Sequence, residues 1–460
     1  MKKFLKIASC FLLAVVFSVT LSGCTKKTVQ STNLVVWSFE DEDTWKPVIK
    51  SFQKANKGFT VKYIKQTFDF DYENRVLNSM LAGAGPDVWA MPNDWVYRHK
   101  EKLYPMPETM KKTNDLDKIY VPSIKESVQL KDSKGVDQIY ALAPSSEPLM
   151  VYYNPKLFSE AQKTSSEYNR GDSETIKANN ALLQAPPKTW TEFTQAVNLL
   201  TVKDGEEISI SGLALGTDQI VNGADVLYLL MMQNETNILS EDVKLATFNL
   251  PKTTSTGTDD NPGVRALEFY TSFADPNSEN YSWNDSLGSN IDAFANGQVA
   301  MTFGFSDLQN TLAQKYPSFK FKKTYAPQLD QDASKIVDYA RFNAYGVSRL
   351  SKNHAASWSM VNILANDSSI NSDFNSATRF YTSRKAKDYD ISITARKAAS
   401  NPEKLSLATA KSLVKGRYPN EFDAIMNGTI ASVLSGEQDA KSALDGASSQ
   451  ITETLRKTAW

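Results

Sequence analysis

The residues best equipped for chemistry are carboxylates that stand near aromatic groups at the ends of predicted strands. Glu147 lies in a segment bounded by Pro144 and Pro148, six residues before Tyr153-Asn154. A carboxylate offers two oxygens with several lone pairs, and charged acceptors make the stronger hydrogen bonds, so such a group suits a ligand that donates hydrogen bonds. Asn93, Asp94 and Trp95 follow a predicted strand from Val88 to Met91, and Trp37, Ser38, Phe39 and Glu40 close another that begins at Leu34. Trp95 is placed either to stack on a ligand ring or to cap the core. Glu40 is placed either to touch a ligand or to belong to a solvated acidic loop, and Asp87 to brace its own turn. Glu147 and Asp94 could also form the carboxylate pair of a glycosidase, which requires a spacing of about 5–10 Å. No GxSxG, Ser/Lys or HExxH pattern supports hydrolysis, and the two histidines, His99 and His354, read as packing or surface residues.

These groups need a scaffold, and the first hundred residues supply one. Leu34–Trp37 is a short apolar run. Trp45, Val48, Ile49 and Phe52 share one face of a helix expected to begin near Pro47. Phe59, Val61 and Tyr63 alternate as a strand does, and a second helix carries Tyr72, Val76, Leu77, Met80 and Leu81 on one side. The resulting β-α-β-α-β pattern predicts a parallel sheet with right-handed crossovers and ligands beyond the carboxyl ends of the strands. Further on, residues 159–187 read as a polar surface insertion with a small helix. Thr189-Trp190-Thr191-Glu192 fits a capping box. Helices are expected over 224–232, 264–273, 291–296 and 354–365, strands over 299–303 and 341–348, and mainly helix from about 403 onward.

The chain has 460 residues, too many for one ordinary core, and two or three domains are expected. Its start combines Lys2, Lys3 and Lys6 with an apolar stretch from Ile7 to Val19 and then Leu21-Ser22-Gly23-Cys24. This resembles a bacterial lipoprotein signal, with residues 1–23 removed, Cys24 lipidated and residues 24–33 a flexible tether. Without the three signal lysines, 48 basic residues face 52 acidic ones, a balance that argues against nucleic acid as a partner. Cys10 and Cys24 are the only cysteines, so the mature fold is expected to have neither a disulfide nor a cysteine-based metal site. No cofactor is expected.

Six segments together carry a resemblance. They are VVWSFEDEDTWKPVIKSFQKAN, MLAGAGPDVWAM, YALAPSSEPLMVYYNPKLF, APPKTWTEF, FANGQVAMTFGFSD and SGEQDAKSALDGASSQI. In this order they resemble the extracellular solute-binding proteins of sugar ABC importers, the group that includes maltose-binding protein. The resemblance implies an α/β, two-lobed periplasmic-binding-protein fold (type II), each lobe a sheet flanked by helices, with the ligand cleft between lobes. It implies an N-terminal lobe of residues 34–145 with 341–380 returning to it, and a C-terminal lobe of 146–340 with 381–460. Glu147 and Asp94 match positions where the family holds sugar hydroxyls, although the loop at Asn93-Asp94 is longer by about two residues, which leaves open which of the pair points inward. In the second lobe the loop Gly304, Phe305, Ser306 and Asp307 stands where the family often has a stacking aromatic. Asn222 and Asp225 begin a helix that faces the cleft in relatives. Arg341, Asn343 and Tyr345 lie on the later crossover, and Trp283, in the polar run YSWNDS, is a further candidate. The implied function is capture of a carbohydrate outside the cytoplasmic membrane by a lipid-anchored monomer, which closes on it and delivers it to ABC permease subunits. The rival ligands are a peptide or a polyamine, and the rival protein classes are an exported glycosidase and a non-transport adhesin or sensor partner.

Overall fold

The computed structural model describes residues 32–253, 259–329, 335–385 and 401–457. The expected signal, most of the tether and Cys24 lie outside the described residues. Thr32 already pairs with Phe59, so the first strand opens two residues inside the span expected to be tether.

The first lobe is built on a five-stranded sheet. Its order is Phe59–Lys65, Thr32–Ser38, Val88–Pro92, Asn343–Val347 and Ala141–Leu142. The first three strands are parallel, as the β-α-β-α-β pattern requires, and Asn343–Val347 runs antiparallel to Val88–Pro92. Val88 to Met91 are all buried, because both faces of this central strand are covered. The helix Glu42–Ala55 begins five residues before Pro47. Proline cannot donate to the carbonyl one turn back. Burial of Trp45 on the same face as Val48 and Phe52 outweighs that missing bond. Glu42 and Asp43 in the first turn also stabilise the helix, because their charge faces the positive end of its dipole.

The second lobe centres on the strand Met150–Tyr153, flanked antiparallel by Met301–Gly304 and Lys322–Tyr325. Its side chains alternate between two apolar clusters. Val151 and Tyr153 pack with Phe193, Leu227 and Phe422, while Met150 and Tyr152 pack with Trp283, Phe294 and Leu308. The polar stretch after it forms two helices, Pro155–Tyr168 and Ser173–Leu182, capped by Asn154 and Asp172. Thr189 accepts the backbone N–H of Glu192 at the start of the helix Trp190–Leu200, the bond that its spacing predicted.

The chain passes between the lobes at a small four-stranded sheet, ordered Tyr381–Thr382, Ser145–Pro148, Asp338–Arg341 and Ala410–Lys411. Antiparallel register sets Arg341 directly opposite Glu147. The first core gathers residues from Leu34 to Ala143 and from Ala340 to Phe374, together with Leu407 and Ala410, whereas the second gathers Leu149 to Tyr339 and Leu413 to Ile451. Leu407 and Ala410 therefore pack with the first core although the expected boundary put 381–460 with the second lobe. Among the described residues no helix is long and apolar enough to cross a membrane.

Candidate functional site

A cavity of about 460 Å³ lies between the lobes, and its walls differ in chemistry. The first lobe contributes Phe39, Phe68, Asn93, Asp94 and Trp95. The second contributes Asp225, Asp307, Lys415 and Asp423, the crossing strands contribute Glu147, Tyr339 and Arg341, and Asn343 comes from the first-lobe sheet. A larger hollow of about 1080 Å³, bordered by Gln233, Lys252 and Arg265, is lined by second-lobe residues and by Lys411 of the crossing sheet. Of these two, the interlobal cavity is the one that can couple a bound solute to lobe closure, because closure needs contacts that both lobes share.

Five carboxylates and two cations face this cavity. Glu147 is 6% exposed, and its Oε2 has no hydrogen-bond partner. Burial pushes its carboxyl up to about 7. Arg341 opposes that shift, Asp307 adds to it, and the backbone N–H groups of Asp307 and Ser306 at the start of the helix Ser306–Lys315 pull it back down. Burial likewise raises Asp94 to about 6 against the pull of Lys415, and Asp94 Oδ1 is also buried without a partner. Asp225 is raised by burial too, with Lys415 acting against the shift. Lys415 is 6% exposed and sits 2.8 Å from Asp423 Oδ2. Burial alone would lower it, but Asp423, Tyr339, Asp225 and Asp94 hold it above the ordinary lysine value. Arg341 donates to Asp307 Oδ2 at 2.6 Å, and its guanidinium lies 4.0 Å from the centroid of the Phe305 ring.

The residues expected to bind divide into three groups. Asp94, Glu147, Asp225, Asp307, Arg341, Asn343, Phe39 and Trp95 meet at the cavity. Asn93 lines it as well, but its amide is already engaged: Oδ1 accepts the Phe342 N–H at 3.2 Å and Nδ2 donates to Ser127 at 3.2 Å. Asp94 is therefore the member of the pair with a free oxygen. Trp95 is mostly buried and stacks on Tyr72 at 6.0 Å, with an interplanar angle of 14°.

A second group braces the site from beneath. Ser38 and Tyr345 are buried, and both donate to the Glu40 carboxylate together with Trp45. Glu40 is thus held within its loop, at the edge of a neighbouring hollow of about 260 Å³ that also touches Phe39 and Asn343. Trp37 belongs to the first core.

The third group lies apart from the cavity lining. Trp283 is 1% exposed and packs against Phe294 and Tyr152 in the second lobe, despite its polar neighbours. Phe305 is fully buried and serves as the floor under Arg341, so no face of it is open to a ligand ring. Gly304 packs so tightly that a Cβ would stand 2.4 Å from Leu308 Cδ2. Ser306 meets Glu147 through its backbone. Asn222, at φ 64°, precedes the helix Gly223–Gln233 and is not part of the lining.

Several lining residues escaped the sequence reading. Phe68, Tyr339, Phe380, Leu413, Lys415, Asn420 and Asp423 all reach the cavity. Two carried a usable signal. Phe68 follows the strand Phe59–Lys65 at the same sheet edge as the other binding loops. Lys415 follows the apolar pair Leu413-Val414, where a lone cation calls for buried acids.

Two α/β lobes with separate cores, joined by a crossing sheet and meeting around a polar cavity, define a solute-binding clamp. The chain belongs to the family of bacterial extracellular solute-binding proteins, whose family model matches residues 48–399. It is similar to the maltotriose-binding protein of Pyrococcus abyssi (strain GE5 / Orsay), with 32% identity over 99 residues, 21% of this chain and 20% of the relative. The match thus spans about a fifth of that curated relative. Among solved structures, an ABC substrate-binding protein from Listeria monocytogenes in complex with cycloalternan aligns with a TM-score of 0.62 and 18% identity, covering 93% of this chain and all of that one. A cyclo/maltodextrin-binding protein complexed with maltotetraose aligns with a TM-score of 0.68 and 15% identity, covering 93% of this chain and 98% of its own. The sugar-binding protein MalE from Xanthomonas citri aligns with a TM-score of 0.66 and 16% identity, covering 92% and 97%.

Proposed function

We propose that this protein is the carbohydrate-capturing component of an ABC importer, a non-catalytic clamp that encloses a mono- or oligosaccharide and presents it to permease subunits. One observation carries the reading. Glu147 of the crossing sheet and Asp94 of the first lobe line one interlobal cavity, and each keeps a buried acceptor oxygen without a donor. Sugar hydroxyls supply such donors, and leaving a buried acceptor unmatched costs about 1–3 kcal/mol. The relatives named above, with their maltotriose, cycloalternan and maltotetraose ligands, support the same class. The excess of carboxylates over cations favours one second reading, a ligand bearing an amine.

A thermal-shift panel of sugars, amines and peptides separates the two. A saturating carbohydrate is expected to stabilise the protein, by about 2.7 kcal/mol at a hundredfold excess over Kd. Stabilisation by amines alone would replace the carbohydrate reading. The anchor is tested separately. Cys24→Ser is expected to move the protein from the membrane fraction to the soluble fraction, since lipid chains contribute about 0.8 kcal/mol per buried methylene. A variant that stays with the membrane would mean that Cys24 carries no anchor.

A further inference from the structure

Arg98 joins the two lobes without passing through the cavity. The helix Asn93–His99 carries Asp94, which lines the cavity, and Arg98, one turn further along the same face. Arg98 Nη1 donates to the backbone carbonyl of Arg417, and its guanidinium lies 5.4 Å from the centroid of the Tyr418 ring. Arg417 and Tyr418 stand between Lys415 and the helix Pro419–Leu434, whose Asn420 and Asp423 line the cavity from the second lobe. Arg98, Arg417 and Tyr418 are not themselves part of the lining.

The first lobe holds Arg98 in position. Glu73, on the helix Tyr72–Leu81, accepts from Arg98 Nε at 2.5 Å and from Nη2 at 3.2 Å, a two-point grip that fixes the plane of the guanidinium. Burial works against charge on Glu73, but His99 and Arg98 hold its carboxyl down to about 2, so it is ionised at neutral pH. Two donors of the fork go to Glu73, and Nη1 faces the other lobe. A planar guanidinium can serve both acceptors at once, whereas a lysine ammonium cannot keep that geometry. Opening the lobes leaves the Glu73 pair intact, because both residues belong to the first lobe, and breaks the contacts with Arg417 and Tyr418.

We propose that Arg98 is a latch that sets ligand affinity without touching the ligand: its contact with the second lobe exists only while the lobes are closed, and so it stabilises the closed state alone. Apparent affinity scales with the share of protein in the binding-competent state. A latch therefore changes the affinity of every ligand by one common factor, where a residue that touches the ligand changes different ligands unequally. The inference rests on the clamp described above and not on the identity of the solute.

The test uses the full chain with one spin label on each lobe, and the two carbohydrates that stabilise it most in the thermal panel. Arg98→Met is expected to weaken both carbohydrates by the same factor, about tenfold, chiefly through faster release, and to lower the closed share of the ligand-free protein. Arg98→Lys is expected to fall between Arg98→Met and the unaltered protein. Tyr418→Leu, which removes the ring beneath the guanidinium, is expected to lose about threefold. The double variant Arg98→Met, Tyr418→Leu is expected to lose no more than Arg98→Met alone, because both changes act through one contact. Melting temperatures of the ligand-free variants check that each is folded. Unchanged affinities in Arg98→Met, or factors that differ between the two carbohydrates, would overturn the latch and leave the carbohydrate reading standing. Label distances that are the same with and without carbohydrate in the unaltered protein would remove clamp and latch together. If no carbohydrate binds, the carbohydrate reading falls and the ligand-free distances decide the latch: an unchanged closed share in Arg98→Met overturns it.

Discussion

Replacing Glu147 with glutamine is expected to weaken ligand binding by at least about tenfold while raising the melting temperature of the empty protein above about pH 7. The two effects share one cause. Glu147 is buried opposite Arg341 and keeps an unpartnered oxygen in the cavity. As a carboxylate it makes charge-assisted bonds to ligand donors, worth about 1.5–3 kcal/mol each, and glutamine makes only the weaker neutral kind. In the empty site, however, the charge is a burden. Burial raises this carboxyl to about 7, so the folded protein binds a proton here that the unfolded chain has already released. Stability must then fall as pH rises from the ordinary glutamate range to about 7 and level off beyond it. Asp94, raised by burial to about 6, contributes with the same sign. Glutamine removes the Glu147 part of that slope. Thermal melts across this range, paired with calorimetric titration at neutral pH, check both halves. A variant that melts lower than the unaltered protein and binds equally well would show that Glu147 is a structural ion-pair partner instead.

Lys415→Met has the largest expected effect on stability, a loss of about 3 kcal/mol and a fall in Tm of about 3 °C. Lys415 is almost fully buried, 2.8 Å from Asp423, with Asp225 and Asp94 also within its electrostatic reach. Methionine fills similar volume, so the penalty comes from the acids left behind. The double variant Lys415→Met, Asp423→Asn should recover part of the loss, because it removes the charge that was stranded. Denaturation curves of the two variants decide the matter. Equal stability in the single variant would mean that the pair exchanges freely with solvent.

Legibility followed the range over which each feature is determined. The β-α-β-α-β order, the cap at Thr189 and the positions of Asp94 and Glu147 at strand ends are set by spacing along a few residues. The electrostatic pull of Lys415 on Asp94 and the pairing of Arg341 with Asp307 are set by lobe geometry, and nothing local to these residues encodes them. Trp283 illustrates the opposite error. Its neighbours are polar, but the fold turns its indole into the apolar cluster beside Phe294. Phe305 stands in the loop where the resemblance implies a stacking aromatic, but Arg341, brought in from a different strand, covers it. The helix starts at Glu42 and not near Pro47: proline suits a first turn and drew the expected start to itself, while burial of Trp45 against Tyr63 and Tyr345 extends the helix back past it.

The strand Asn343–Val347 sits in the interior of the first sheet, between Val88–Pro92 and Ala141–Leu142. The earliest-made third of the chain therefore cannot complete its sheet until most of the later chain has left the ribosome. During that interval the edge of Val88–Pro92 is open and the nascent lobe stays pliable, a state that tends to aggregate unless a chaperone covers it. For a member of an extracellular family this delay is useful. A polypeptide bound for the outside of the cytoplasm moves more readily while it is unfinished, and the late arrival of this interior strand postpones compaction of the first lobe.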